Sequence, residues 1–210
     1  MKGVRRSSNN GELPNLLWSS LKLTKRKTTS KEGDKTTKKV LTILILTTVL
    51  CSIIVNVSAY ELISGRWPSN KRNPLYYYVN SEWSEFPTAK TDWNNAGTDF
   101  GSFYKHSNPE YAWVYVTIIT NSGVSWPGRC ILITSGTEII TADIELNNYY
   151  YSDLGSNGRR TVCAHEIGHT FSLNDENDIW VLMHQGALER VELGILGPQN
   201  DDINGVNAAY

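Results

Sequence analysis

The stretch TVCAHEIGH spans residues 161–169 and contains two histidines four positions apart. In a helix this spacing places two side chains one turn apart on the same face, so both imidazoles can reach one metal ion. Glu166 follows the first histidine and would project toward the same ion as a proton acceptor. The stretch therefore predicts a helix over 159–171 that carries a zinc site formed by His165 and His169, with Glu166 as the general base.

A third ligand is needed, because a catalytic zinc site uses three protein ligands and keeps one position open. Asp175 lies six residues after His169 and offers a carboxylate. The pattern His-Glu-x-x-His-x-x-x-x-x-Asp resembles the metzincin clan of zinc proteases, with an aspartate where most members have a third histidine, as in the snapalysin type. In that clan the chain turns at a glycine between these ligands. Ser172 occupies that position here, and a residue with a Cβ loses free energy on adopting a positive φ.

The resemblance extends beyond the ligands. Met183 lies eight residues after Asp175, the distance at which matrixin-type metzincins place the methionine turn beneath the zinc. The segment 197–210 is similar to the final matrixin helix, and Trp93 with Ala96 is similar to part of the family's first helix. The resemblance implies a metzincin-like catalytic domain over 60–210.

This resemblance also implies an activity. The expected reaction is hydrolysis of a peptide bond by zinc-activated water, with Glu166 taking the proton and passing it to the leaving amine. Metzincins bind substrate as an added strand on a sheet edge, and the strand 140–147 is the expected edge, with Ile140, Ala142 and Ile144 lining the substrate. The implied cofactor is Zn²⁺, the implied partner is a protein or peptide substrate, and a monomer is expected.

Three alternatives stay open at this point. The two histidines could simply be hydrated on a helix surface. A glutamate on a following helix, Glu189 or Glu192, could supply the third ligand in a different class of zinc protease. A degenerate metzincin-like domain could also bind a partner without catalysis, although such a module would not need Glu166.

Outside the motif, residue patterns predict an α+β fold. Aromatic and β-branched residues cluster between Pro, Asn and Gly in four segments that indicate strands: 74–80, 111–120, 130–134 and 141–147. Apolar residues recur at helical spacing in a segment that predicts an amphipathic helix over 87–103: Ala89, Trp93, Ala96, Phe100 and Phe103. A last helix is predicted over 199–210. Strands that precede helices favour the α+β class.

An uncharged run, VLTILILTTVLCSIIVNV, spans residues 40–57 directly behind two lysines. Its length and its small flanking residues indicate either a signal peptide cleaved after Ala59 or an uncleaved membrane anchor. Both interpretations place residues 60–210 outside the cell, secreted or anchored to the outer face of the membrane. Contact with the membrane is expected only through residues 40–57, if they are not cleaved.

Charge changes sign at the same boundary. Residues 1–59 carry 11 Lys and Arg against 3 Asp and Glu, a net charge of +8, whereas residues 60–210 carry 9 against 18, a net charge of -9. The acidic part is a poor partner for phosphates, so no binding of nucleic acid is expected. The basic tail over 1–39 is rich in Ser, Thr, Asn and Lys, and this composition predicts disorder.

Three cysteines are present, and Cys51 lies inside the apolar run. Cys130 and Cys163 are therefore the pair in the exported part. An even pair outside the cell predicts a disulfide, and two separate buried thiols are the alternative.

Overall fold

A computed structural model describes residues 60–210. The predicted basic tail over 1–39 and the predicted signal peptide or anchor over 40–59 lie outside the described residues and stay predictions. Within 60–210 there is no helix with the length and apolar character needed to cross a membrane.

Five strands form one mixed sheet in the spatial order β2-β1-β3-β5-β4. The strands are β1 Leu75–Val79, β2 Phe103–Lys105, β3 Val114–Ile119, β4 Gly128–Ser135 and β5 Glu138–Asn147. Neighbouring strands are parallel except for β4, which pairs antiparallel with β5 and forms one edge. From residue 142 to residue 146 of β5, every second side chain is fully buried, as expected for a strand with one face on the core: Ala142, Ile144 and Leu146.

The described residues also form four α-helices, which together with the sheet give an α+β fold. They are α1 Phe86–Asn94, α2 Tyr151–Thr170, α3 Ala187–Glu192 and α4 Asn200–Ala209. Gly155 interrupts α2 with a φ of 60° and a ψ of 178°, so the regular helix that contains the His-Glu-x-x-His motif begins after it. At α4 the side chains of Gln199 and Asp202 form a reciprocal capping box.

Two tryptophans fix α2 against the core. The indole Nε1 of Trp93 in α1 donates to the carbonyl oxygen of Ala164 at 2.7 Å. The indole Nε1 of Trp67 donates to the carbonyl oxygen of Thr170 at 2.6 Å. Thr170 is the last residue of α2, where a carbonyl has no partner within the helix. Both ends of the motif are therefore held by side chains that are themselves buried.

The four predicted strands are confirmed within a few residues, but the predicted helix over 87–103 is wrong in its second half. Helix α1 ends at Asn94, and Phe103 begins β2. The reason is the backbone of Gly97 and Gly101, whose φ values of 77° and 100° cannot continue a right-handed helix. The apolar spacing marked core residues correctly, since Phe100 and Phe103 are both buried.

The prediction that 140–147 is the edge strand is wrong. Ile140, Ala142 and Ile144 lie in β5, which pairs with β3 on one side and with β4 on the other. The alternating pattern of a strand shows which face is buried and carries no information about its neighbours. The edge on this side of the sheet is β4.

The predicted disulfide is also wrong, because Cys130 and Cys163 are free thiols. The side of α2 that faces β4 carries Val162 and Glu166: a Cβ added to Gly128 of β4 would lie 2.7 Å from Val162 Cγ1 and 2.8 Å from Glu166 Oε1. Burial raises the pKa of both thiols well above the ordinary value.

Candidate metal centre

Helix α2 and the turn after it bring three potential metal ligands together. The rings of His165 and His169 stand almost perpendicular, with centroids 4.7 Å apart. Asp175 Oδ1 lies 3.1 Å from Nε2 of His165 and 3.5 Å from Nε2 of His169. One ligand atom from each of the three residues lies within 4.8 Å of the others. The two histidines and the aspartate singled out by the sequence therefore converge on one point.

The second ring nitrogen of each histidine is held by the backbone. Nδ1 of His165 lies 3.0 Å from the carbonyl oxygen of Leu182, and Nδ1 of His169 lies 2.9 Å from that of Leu173. When Nδ1–H donates to a carbonyl, the lone pair is on Nε2, which is the atom that faces Asp175. Gln185 Nε2 donates to the other carboxylate oxygen of Asp175 at 3.2 Å. All three side chains are thus oriented from behind, as metal ligands are.

The turn between His169 and Asp175 depends on Ser172. Its φ is 69°, so the positive φ expected at this position is confirmed in a residue that has a Cβ. Ser172 is completely buried, and its Oγ lies 2.6 Å from the hydroxyl of Tyr210. Its carbonyl oxygen accepts from the backbone N–H of Ile63 at 2.9 Å. These two contacts support a backbone conformation that only glycine adopts readily.

Met183 packs against α2 at Gly168, which lies between the two histidines in sequence. A Cβ on Gly168, one residue before His169, would lie 2.5 Å from Met183 Sδ, so only glycine leaves room for this sulfur. Asp202 of α4 fixes the same segment, because its carboxylate accepts from the N–H of Leu182 at 2.9 Å and of Met183 at 3.1 Å. The carbonyl that orients His165 therefore belongs to a segment held by a buried carboxylate.

A cleft of about 520 Å³ opens over His165, His169 and Asp175 and is also lined by Glu166. Glu166 is 4% exposed, and its Oε2 has no hydrogen-bond partner among the described residues. Burial raises the pKa of Glu166 to about 7, although the nearby positive charges of His169 and Arg190 oppose this shift. An unpaired carboxylate that titrates near neutral pH can both accept and return a proton.

The protonation of the three converging residues suits a divalent cation. Burial lowers the pKa of His165 to about 4, so this imidazole is neutral at pH 7. Burial has the same effect on His169, but the hydrogen bond with Asp175 and the charge of Glu166 outweigh it and raise its pKa. Burial opposes ionisation of Asp175, yet the two neighbouring histidines outweigh it and hold the pKa of Asp175 well below the usual range. Metal binding at Nε2 would compete with protonation of His169.

Helix α3 carries the two glutamates of the alternative ligand set and one residue that the sequence did not single out. Glu189 and Glu192 are both exposed, and neither belongs to the group that converges with the histidines. Arg190 is 2% exposed and lines the cleft. Burial lowers its pKa to about 10, so the guanidinium stays charged at neutral pH.

Three residues near the centre were missed as site residues: Gly128, Arg190 and Asp202. Asp202 lies in the first turn of α4, and its bonds to Leu182 and Met183 span about twenty residues of sequence. The other two are brought to the cleft by strand pairing and helix packing, for which the sequence holds no local signal.

Comparison of the chain with known protein families finds no match, and comparison with curated proteins finds none either.

Proposed function

We propose that residues 60–210 form a metzincin-like, zinc-dependent endopeptidase domain. One observation carries the proposal: His165, His169 and Asp175 present their ligand atoms to one point, beside the unpaired carboxylate of Glu166 in an open cleft. The positive φ of Ser172 and the position of Met183 against α2 are consistent with the same family.

The donor set fits zinc. Two imidazole nitrogens and one carboxylate oxygen are ligands that Zn²⁺ accepts, and three protein ligands leave a position open for catalysis. No further His, Cys, Asp or Glu joins the group within the described residues. A Zn²⁺ ion held by these three side chains would polarise a substrate carbonyl and lower the pKa of water.

Glu166 would move the proton in this reaction. Glu166 lines the cleft, and its buried Oε2 has no hydrogen-bond partner among the described residues, so the carboxylate is available to take a proton from the attacking water. A pKa near 7 allows the same carboxyl group to return that proton to the leaving amine. Gly128 of β4 makes room for the carboxylate, because a Cβ there would lie 2.8 Å from Glu166 Oε1.

The substrate would bind along β4 rather than along 140–147. Strand β4 has a neighbour on only one side among the described strands, and its first residues line the cleft: Gly128, Arg129 and Cys130. An extended peptide can add to such an edge through main-chain hydrogen bonds. A peptide on this edge would pass the carboxylate of Glu166.

The test measures zinc content and proteolysis on the same preparation. The purified protein should retain one zinc per chain after dialysis and should cleave a denatured protein substrate. Removal of the metal with a chelator should abolish cleavage, and added zinc should restore it. Asp175→Ala should lose most of the zinc, whereas the matched variant Glu189→Ala should keep it.

Two results would redirect the proposal. A protein that binds zinc and cleaves nothing across a broad peptide library would be a binding module with a metal-supported fold. Loss of zinc in Glu189→Ala together with retention in Asp175→Ala would assign the third ligand to α3 and would contradict the metzincin-like ligand set.

A further inference from the structure

Arg190 places a buried positive charge in the wall of the candidate active-site cleft. The residue belongs to α3 and is 2% exposed, and it lines the cleft together with His165 and Glu166. Arginine is almost never buried to this degree unless its charge is paired. The hydrogen-bond partners of this guanidinium therefore show whether its positive charge is paired with a negative one.

Every hydrogen bond of Arg190 goes to a neutral group. Nε donates to Thr161 Oγ1 at 2.9 Å, and Nη1 donates to the carbonyl oxygen of His184. Nη1 also lies 3.2 Å from Nδ1 of His165, whose hydrogen atom is directed to a carbonyl when Nε2 binds a metal. None of the ion pairs formed by the described residues includes Arg190.

The second terminal nitrogen, Nη2, is the donor of Arg190 that has no partner among the described residues. It is also not among the fully buried polar atoms of residues 60–210 that lack a partner. Because Arg190 lines the cleft, we infer that this nitrogen faces the space inside it.

The carboxylates around Arg190 balance its charge without using its donors. Glu166, Asp175, Asp202 and Glu189 attract the guanidinium electrostatically, but each lies beyond ion-pair distance. Arg129, in the same cleft, is different, because its Nε lies 2.8 Å from Glu145 Oε2. Of these two cleft arginines, only Arg190 has no ion-pair partner among the described residues.

We propose that Arg190 determines specificity by receiving a carboxylate group of the substrate inside the cleft. A guanidinium binds a carboxylate through charge-assisted hydrogen bonds, and in a buried site these are stronger than neutral ones. The carboxylate belongs either to an acidic side chain next to the scissile bond or to the free C-terminus of a peptide. In naming a peptide substrate the inference rests on the proposed function.

This assignment predicts discrimination against uncharged analogues. A site built around a buried donor disfavours a ligand that cannot satisfy it, because the donor then stays unpaired. A carboxylate that enters the cleft also meets the negative charges of Glu166 and Asp175. Its binding therefore depends on the positive charge that Arg190 supplies.

The test uses binding, so that it does not depend on turnover. The full chain with Glu166→Gln is titrated with one equivalent of zinc, and peptide affinity is measured by calorimetry. Three acetylated six-residue alanine peptides are compared: one with an internal Glu and an amidated end, one with Gln and an amidated end, and the Gln peptide with a free C-terminal carboxylate. Each is measured again with Arg190→Gln, with Arg190→Lys and with the matched control Arg129→Gln.

The expected result is that one carboxylate peptide binds at least about 10-fold more tightly than the uncharged peptide. The Glu peptide identifies a side chain as the source, and the free-acid peptide identifies a C-terminus. Arg190→Gln should remove the preference, Arg190→Lys should reduce it, and Arg129→Gln should keep the ratio of affinities. Direct ligation of zinc by a carboxylate would be the same in all of these variants.

Equal affinity for the three peptides in the chain that retains Arg190 would overturn the inference, even if Arg190→Gln failed to fold. So would a preference that persists in Arg190→Gln. The parent protein separates the two proposals. Cleavage without a carboxylate preference would overturn only the role of Arg190, whereas an Arg190-dependent preference in a protein that cleaves nothing would overturn only the proposed endopeptidase function.

Discussion

The hydroxyl group of Ser172 supports the turn that carries Asp175 to the histidines. A residue with a Cβ loses about 1 kcal/mol or more at a φ of 69°, and the 2.6 Å contact with the Tyr210 hydroxyl offsets part of this loss. The turn before Asp175 thus contains a strained residue, and the hydrogen bond of its side chain offsets part of the backbone strain.

The backbone strain and the hydrogen bond together predict different stabilities for two substitutions of Ser172. Ser172→Ala keeps the strain and loses the hydrogen bond, so it should lower the free energy of unfolding by about 1 kcal/mol or more. Ser172→Gly loses the bond but removes the strain, so it should stay close to the parent. Urea unfolding measures both. In a Tyr210→Phe background, Ser172→Ala should have a smaller effect, and an unchanged effect would contradict the role of the hydrogen bond.

Glu166 has no ligand role in the proposed mechanism, which separates metal binding from catalysis. Glu166→Gln keeps the shape of the side chain and removes the proton acceptor, so zinc content should not change while cleavage falls by at least about 10²-fold. The control His165→Ala should lose zinc as well as activity. Equal cleavage by Glu166→Gln and the parent protein would exclude Glu166 as the base.

At the scale of elements, one carboxylate joins α4 to the segment beneath the candidate centre. Asp202 accepts from the N–H of Gln199 at 2.7 Å at the start of α4, and it also binds the N–H groups of Leu182 and Met183. Because Leu182 provides the carbonyl for His165, Asp202 connects α4 to a residue of the candidate metal site.

Removal of this carboxylate should affect both stability and metal affinity. Asp202→Ala leaves buried N–H groups without an acceptor, so the free energy of unfolding should fall by about 3 kcal/mol. Zinc should also bind more weakly, because the Leu182 carbonyl is no longer fixed. Glu192→Ala, which removes an exposed acid on α3, should change stability by no more than about 0.5 kcal/mol. Similar losses in both variants would contradict the structural role of Asp202.

Helices α1 and α2 are joined by a shielded ion pair. Arg159 Nη2 lies 2.7 Å from Glu85 Oε1, and Glu85 is 8% exposed. Burial would raise the pKa of Glu85, but the hydrogen bonds from Arg159 and Ser84 outweigh it and hold the pKa below its ordinary value. A lowered pKa in the folded state means that the ionised carboxylate favours folding. This contribution is present above the pKa of the unfolded chain and is lost as the pH falls through the folded value.

The resulting pH dependence can be measured. Glu85→Gln should be less stable than the parent at pH 7, and the difference should shrink as the pH falls below about 4. Urea unfolding at several pH values checks this. Lys105→Gln removes the more exposed pair with Glu82 and should have a smaller effect at every pH. A difference that is constant with pH would contradict the assignment to Glu85 ionisation.

At the scale of the whole molecule, the prediction of export can be tested by protein chemistry. Expression with the complete N-terminal region should release a product that begins at Tyr60, because the apolar run 40–57 and the small residues after it predict cleavage there. N-terminal sequencing of the released protein and fractionation of the membranes measure the outcome. A full-length product that stays with the membrane would favour the uncleaved anchor.

Local geometry made much of the candidate site predictable from the sequence. Two histidines four residues apart lie on the same face of a helix whatever the rest of the fold is. His165, Glu166 and His169 could therefore be predicted as site residues from the sequence. Strand cores were accessible for the same reason, since a two-residue period needs only the strand itself.

Long-range pairing decided the rest. The edge strand, the unpaired state of Cys130 and Cys163 and the presence of Arg190 in the cleft depend on which segments lie side by side, and residues distant in sequence set this. The sequence by itself determined the chemistry of the histidine helix, because backbone geometry within one helix is fixed. Only the tertiary structure decided what surrounds that helix. Several helices and strands that pack together set the burial of the cleft residues and the charges around them.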